Sequence, residues 1–236
     1  MNTGTLRYCL RKHFPGLWSR LARRSSRSTQ QGTAEEIFTD YYRSNFWGAE
    51  SRSGGGSTLA QTIKVRTIVE SVIASYDVRL IVDIPCGDFF WMQHVDFKGA
   101  EYLGLDVVAQ LAEKNRENFG TEQISFRTCD LLTGPVPTAD LIICRDALVH
   151  FSYDDIRSAL NSISQSNSRY LLTTTFPETG LNWNIRTGDW RPLNLEIAPF
   201  DMPPPIDVFP EDSTEQSGTY RDKSLALFEV SKIAAR

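Results

Sequence analysis

Apolar positions follow two rhythms along the 236-residue chain. Continuous short runs at Leu80–Ile84, Glu101–Leu105, Ile124–Cys129, Ala139–Cys144 and Tyr170–Thr175 predict strands of a parallel sheet buried on both faces, where the alternation imposed by one wet face is lost. The stretches between them have a helical period. Val65, Ile68, Val69, Val72, Ile73 and Tyr76 make one face of a helix over Thr58–Tyr76 that Ser57 can cap. Val108, Leu111, Ala112, Asn115 and Phe119 mark a second helix, and Ile156, Leu160 and Ile163 a third, opened by the capping pattern Ser152-x-x-Asp155. A further helix is predicted over Ala34–Asn45, and a last strand over Ser224–Ile233. Strands alternating with helices specify an α/β fold, doubly wound around a mainly parallel sheet.

The rhythm breaks after Phe176. Seven of the eleven prolines fall between Phe176 and Asp212, mixed with Trp183, Trp190, Phe200 and Phe209. So long an irregular stretch in a compact domain is usually functional or disordered, and its aromatic content predicts an ordered substrate-covering insertion over 176–212. At the other end, residues 1–33 form a basic extension. Arg7, Arg11, Lys12, Arg20, Arg23, Arg24 and Arg27 stand there without an acid, so the net charge of −4 divides into +7 for this tail and −11 for the rest. An acidic body argues against nucleic acid as a partner, because phosphate affinity rests on clustered Lys and Arg. The tail interleaves Leu6, Leu10, Phe14, Leu17, Trp18 and Leu21 with its charges, a pattern open to peripheral membrane contact, to organelle targeting, or to a loosely docked extension joined through a linker at Ser25–Gly32. Cys9, Cys86, Cys129 and Cys144 form no C-x-x-C pair and no cluster with the three histidines, which predicts no metal site and a reducing, cytoplasmic setting.

In an open α/β sheet the ligand sits beyond the carboxyl ends of the strands. The first predicted strand ends in Asp83-Ile84-Pro85-Cys86-Gly87-Asp88-Phe89, the second in Asp106, the third in Asp130-Leu131 and the fourth in Arg145-Asp146. An acid at the second position can take both ribose hydroxyls, and a glycine turn at the first admits a ligand to bare backbone. The dinucleotide pattern G-x-G-x-x-G and the Walker A pattern are both absent, and Asp88 would repel a diphosphate. That favours an adenosine carrying a cationic sulfonium over NAD or ATP.

On these residues the chain resembles the class I S-adenosylmethionine-dependent methyltransferases of the small-molecule type, over about residues 57–176 and again at the last strand. Val82-Asp83-Ile84-Pro85-Cys86-Gly87-Asp88-Phe89 is similar to the family's first motif at Asp83 and Gly87, with Pro85 and Phe89 where flanking glycines stand. The resemblance implies a seven-stranded sheet and a methyltransferase domain over 34–236. It also implies S-adenosyl-L-methionine held by Asp83, Pro85, Cys86, Gly87, Asp106, Asp130 and Leu131. Asp83 could instead brace its turn, and Asp130 cap the next segment. His150 and Asp146, four residues apart beyond the fourth strand, are candidate proton-transfer residues if that segment is helical. His150 packed structurally against a neighbouring helix is the competing reading. Trp190 and Arg191 are candidate acceptor ligands, with Asp189 beside them. Arg66 could meet the methionine carboxylate or lie on a solvated face, and Gly54–Gly56 could close on the cofactor or serve as a linker. Asp154 and Asp155 are better used at a helix start than on a metal. The expected activity is methyl transfer to an oxygen or nitrogen of a small molecule or glycan, the alternatives being a non-catalytic adenosine-binding module and a nicotinamide oxidoreductase.

Overall fold

The computed structural model describes residues 3–24 and 32–233, so most of the Ser25–Gly32 linker lies outside the described residues. Seven strands form one sheet in the order β3-β2-β1-β4-β5-β7-β6. They are β1 (Leu80–Asp83), β2 (Glu101–Asp106), β3 (Ile124–Thr128), β4 (Leu141–Cys144), β5 (Tyr170–Thr175), β6 (Asp207–Pro210) and β7 (Ser224–Glu229). The first five are parallel, with Asp83 level with Gly104 on one side and Ile143 on the other, whereas β7 runs antiparallel to both β5 and β6. The doubly wound, mainly parallel architecture is therefore present. The neighbours of β1 are β2 and β4, so the chain reverses direction across the sheet at β1, and a crevice opens beyond its carboxyl end.

Helices cover both faces. α4 (Ile63–Ser75) buries Val65, Ile68, Val69, Val72 and Ile73, the face its periodicity predicts. It starts five residues later than expected, and the residues around Ser57 form a separate 3-10 turn, so Ser57 is not its cap. α5 (Ala109–Phe119) buries Leu111, Ala112 and Asn115. α6 (Tyr153–Gln165) begins at Ser152, whose hydroxyl accepts from the Asp155 N–H, and buries Ile156, Ala159, Leu160 and Ile163. β3 is a sheet edge with Ser125 and Arg127 exposed, rather than a strand buried on both faces.

The 176–212 segment is core rather than cover. Leu193 and Leu195 are fully buried, and Trp183, Phe200 and Met202 nearly so, with Phe200 against Tyr153 of α6. Asn182 stitches the stretch together by donating to the carbonyls of Asn194 and Ala198. Its last residues form β6, a strand hidden among prolines.

The amino-terminal residues are helical and docked. α1 (Thr3–His13) is followed by α2 (Pro15–Arg24) and α3 (Ala34–Ser44), the last opened by a reciprocal Thr33–Glu36 capping box. Arg11 is buried, paired with Asp222 and donating to Thr179 Oγ1 at 2.8 Å. Trp18 packs edge-on against Tyr220. The basic segment is thus a helical pair fastened to the acidic body.

Candidate cofactor and acceptor cleft

Beyond the carboxyl ends of β1, β2 and β4 lies a cleft of about 1090 Å³, open mouth included. The predicted Asp83, Pro85, Cys86, Gly87, Asp106, Asp130, Leu131, Asp146 and His150 all line it. Arg66 does not; its Nε points back to the Thr62 carbonyl.

The β1 turn is shaped by Gly87 at φ 57°, a left-handed conformation that glycine adopts without strain. A Cβ there would fall 2.2 Å from Ser53 Oγ, so a side chain is excluded on space as well. Asp88 points away from the cleft. Its carboxylate accepts from Ser51 Oγ (2.9 Å), the Arg52 N–H (2.7 Å) and Ser53 Oγ, fastening the 51–53 loop to the glycine turn. These donors are neutral, so the carboxylate keeps its negative charge while it holds the loop. Phe89, at φ 56° in place of a family glycine, sends its ring into the core between Tyr102, Phe119 and Phe126. Asn115 of α5 donates to the Gly87 carbonyl at 2.7 Å, so a residue counted on an apolar face holds the turn in place.

Asp106 accepts the Gly87 N–H on one oxygen (3.1 Å) and the Val108 N–H on the other (2.9 Å), which fixes the plane of the carboxylate. Burial raises it to about 6, against the two backbone bonds. Asp83 accepts from Tyr102 Oη at 2.7 Å, and burial, relieved in part by that bond, raises it to about 7. Asp130 caps its own turn, accepting from the Leu132 N–H and from Thr133 Oγ1, while still lining the cleft.

Across the cleft, Asp146 sits at φ 55° and accepts from Lys223 Nζ at 2.7 Å, with Arg145 at 3.2 Å. Burial alone would raise it; the two cations outweigh that and hold it well below the usual carboxylate range. Glu211 and Glu215 complete the cluster, Arg145 donating to Glu211 at 2.8 Å and also to the Gly56 carbonyl. Gly54–Gly56 is therefore packed over charged groups and is neither a linker nor a free flap. Asp146 is ion-paired and is not available as a base.

His150 ends a 3-10 turn, Leu148–His150, so it and Asp146 do not share a helical face. Its Nδ1–H donates to the Asp189 carbonyl at 2.8 Å, which makes Nε2 the nitrogen with the lone pair. Burial lowers its pKa, leaving the ring neutral near pH 7. The backbone around it is bracketed by a second strand of chain: the Gly188 N–H donates to the His150 carbonyl (2.9 Å) and the Arg191 N–H to Val149 (3.1 Å). Arg191 is wholly buried and donates through its guanidinium to the carbonyls of Leu148 and Phe151, both at 2.9 Å. It is a strut behind the His150 turn rather than an acceptor ligand. Trp190 packs on Phe176 and Tyr220 and does not line the cleft.

The wall that sequence reasoning missed comes from α3 and the loop after it. Phe38 lies 5.8 Å from Phe151, and Trp47 lies 5.8 Å from the His150 ring. Tyr41 Oη donates to the Gly188 carbonyl, tying α3 to the His150 bracket. The α3 pattern was legible; that it covers a cleft was not, since nothing local says which surface an amphipathic helix meets.

Residues 81–167 match the model of a family described as a methyltransferase domain. A search of curated protein sequences finds no significant match. Among solved structures, Burkholderia thailandensis 1,6-didemethyltoxoflavin-N1-methyltransferase, with bound 1,6-didemethyltoxoflavin and S-adenosylhomocysteine, aligns with a TM-score of 0.62 at 13% identity, over 86% of this chain and 93% of that one. Human N-acetylserotonin methyltransferase in complex with SAM aligns with a TM-score of 0.58 at 16% identity, over 84% of this chain, which spans only 60% of that enzyme. Sheet order, cleft and matched domain together define the S-adenosylmethionine-dependent class I methyltransferase fold. Within that fold, residues 81–167 are the stretch that matches the methyltransferase-domain model.

Proposed function

We propose that the protein transfers a methyl group from S-adenosylmethionine to an oxygen or nitrogen of a planar, largely apolar small molecule, without a metal. The observation that carries this reading is one cleft with a fixed, uncompensated Asp106 carboxylate on one wall and a neutral imidazole Nε2 on the other. The cleft fits the cofactor: two buried carboxyls without ion pairs suit a ligand bearing hydroxyls and positive charge. Bound there, S-adenosylmethionine would supply an electrophilic methyl group.

The residues of the chain do the rest. Asp106 accepts the ribose hydroxyls, and Leu131, Val108 and Leu111 flank the base. Phe38, Trp47 and Phe151 exclude water and orient the acceptor face-on. His150 Nε2 takes the acceptor proton, with Nδ1–H anchored on Asp189 so that the lone pair faces the cleft. Positioning supplies most of the rate, as in any displacement whose partners must align. A glycan acceptor loses its support, because Trp183 is buried and Trp190 packs away from the cleft.

The test is calorimetry with S-adenosylhomocysteine, NAD and ATP, followed by turnover of S-adenosylmethionine with phenols, aromatic amines and sugars. Binding of S-adenosylhomocysteine alone, and methylation of phenols or amines, are expected. His150→Ala should lower kcat about 100-fold or more while leaving S-adenosylhomocysteine affinity unchanged. Full activity in that variant removes His150 from the reaction, and tight NAD binding overturns the reading.

A further inference from the structure

The docked tail leaves one face unused. Of the eight large hydrophobic side chains exposed among the described residues, Leu6, Phe14, Leu17 and Leu21 belong to the α1–α2 pair. Exposed apolar residues scattered singly are ordinary, but four within sixteen positions form a patch. A fifth, Leu181, adjoins Gly180, where a Cβ would touch the Pro15 ring at 3.5 Å.

The arrangement follows from helical geometry. On α2, Pro15, Trp18, Ser19 and Ala22 turn toward the body, where Trp18 meets Tyr220. Phe14, Leu17 and Leu21, spaced by three and four, lie on the opposite side with Arg20 exposed at their flank. On α1, Gly4, Tyr8 and Arg11 face inward and Leu6 outward, with Arg7, Lys12 and His13 exposed around it. Intramolecular packing therefore uses one face of each helix and leaves the more apolar one in water. Arg221, exposed and stacked over Tyr8 at 3.8 Å, adds a cation to the rim.

We propose that this outer face of α1 and α2 docks the protein on an anionic lipid bilayer. Phe14, Leu17 and Leu21 enter the boundary between headgroups and acyl chains, while Arg7, Arg20 and Arg221 meet lipid phosphates and Lys12 stays paired with Glu178. Charge selects this occupant. The tail carries +7 and the remainder −11. Arg11 and Lys12 are paired with Asp222 and Glu178, but Arg7 and Arg20 stand exposed here, so an anionic surface attracts this face and repels the acidic body, which fixes one orientation. A second copy meeting the same face would bring two basic rims together. No described helix is long and apolar enough to cross a membrane, so the contact is peripheral.

The test is sedimentation of the full chain with phosphatidylcholine vesicles and with vesicles of phosphatidylcholine mixed with phosphatidylserine. Sedimentation with the mixed vesicles only, weakening as salt is raised, is expected. The double variant Leu17→Glu/Leu21→Glu should bind at least about tenfold less with an unchanged melting temperature, since both side chains are exposed. Arg20→Gln should weaken binding by a smaller factor. Absence of binding to mixed vesicles at low salt overturns the proposal, and so does equal binding by the double variant. Light scattering that shows a dimer abolished by the double variant, with no vesicle binding by either form, assigns the face to a second copy and overturns it as well.

Discussion

Two groups of carboxylates stand at equivalent places in this molecule, and they are treated in opposite ways. Asp83 and Asp106 end β1 and β2; Asp146 follows β4, the strand on the other side of β1. All three line the cleft. Asp83 and Asp106 have a hydroxyl and two backbone N–H groups as partners, and burial raises them to about 7 and about 6. Asp146 has Lys223 and Arg145 and is held low. The strand end sets position, and the presence or absence of a cation sets use. On the proposed function, the carboxyls that meet a ligand's hydroxyls and positive charge are left without a cation at a desolvation cost, whereas the charge that holds elements together is neutralised from within.

The largest effect that separates the two groups should come from Lys223→Met. It leaves Asp146, Glu211 and Glu215 with Arg145 alone, and removing one partner of a buried ion pair costs about 3–5 kcal/mol. For a chain of this size each kcal/mol is worth about 2–4 °C, so a fall of roughly 6–20 °C in Tm is expected by calorimetry. A loss under about 2 °C would mean that the cluster does not bind β4 to β7, and the contrast would fail on its structural side.

Next comes Asp106→Asn, which keeps the shape but gives up the charge and one acceptor. Hydrogen bonds to charged groups are worth about 1.5–3 kcal/mol each, so losing one weakens S-adenosylhomocysteine binding by about 10- to 150-fold. Titration calorimetry reads this directly. The same site should report pH in the wild-type protein. The ligand favours ionised Asp106, whose free-state value is about 6, so affinity should be flat above pH 7 and fall by up to about tenfold per unit below pH 6, with proton release on binding in that range. Affinity that is level to pH 5 would show that the carboxylate is not used.

The two groups also differ in how far the sequence revealed them. Apolar runs locate strand ends, and the rule that ligands bind beyond them led from Leu80–Ile84 and Glu101–Leu105 to Asp83, Gly87 and Asp106 with no tertiary information. The ion-pair cluster joins residues from Arg145 to Lys223 through the antiparallel β6–β7 pair, and β6 is obscured by Pro203, Pro204, Pro205 and Pro210. Arg191 was misread because an arginine is expected at a surface, whereas here backbone carbonyls at the end of a 3-10 turn replace a carboxylate as its partner. The 176–212 stretch was misread for a related reason. Its prolines signal irregular backbone correctly, but irregular backbone can be buried when side chains such as Asn182 satisfy its carbonyls.

The smallest expected effect is the most discriminating. Asp83 has a folded-state value near 7 against an ordinary value of about 3.8, so the folded protein binds the extra proton between those limits. Stability contributed by Asp83 is therefore present at low pH and is lost as pH rises toward 7. Asp146 has the opposite sign: its contribution is present above the ordinary carboxylate range and is lost on acidification. Asp83→Asn mimics the protonated form and still accepts from Tyr102, so at pH 3, below the ordinary carboxylate value, it should change unfolding free energy by less than about 1 kcal/mol. At pH 8 the same variant should be more stable than wild type, because it avoids an ionised buried carboxylate. Asp146→Asn should be destabilising at pH 8, and less so at pH 3. Urea unfolding of both variants across pH 3–8 would give curves that diverge from wild type in opposite directions. Parallel curves would mean that the two strand ends share one electrostatic environment, and that the division of the cleft into a ligand wall and a structural wall is not real.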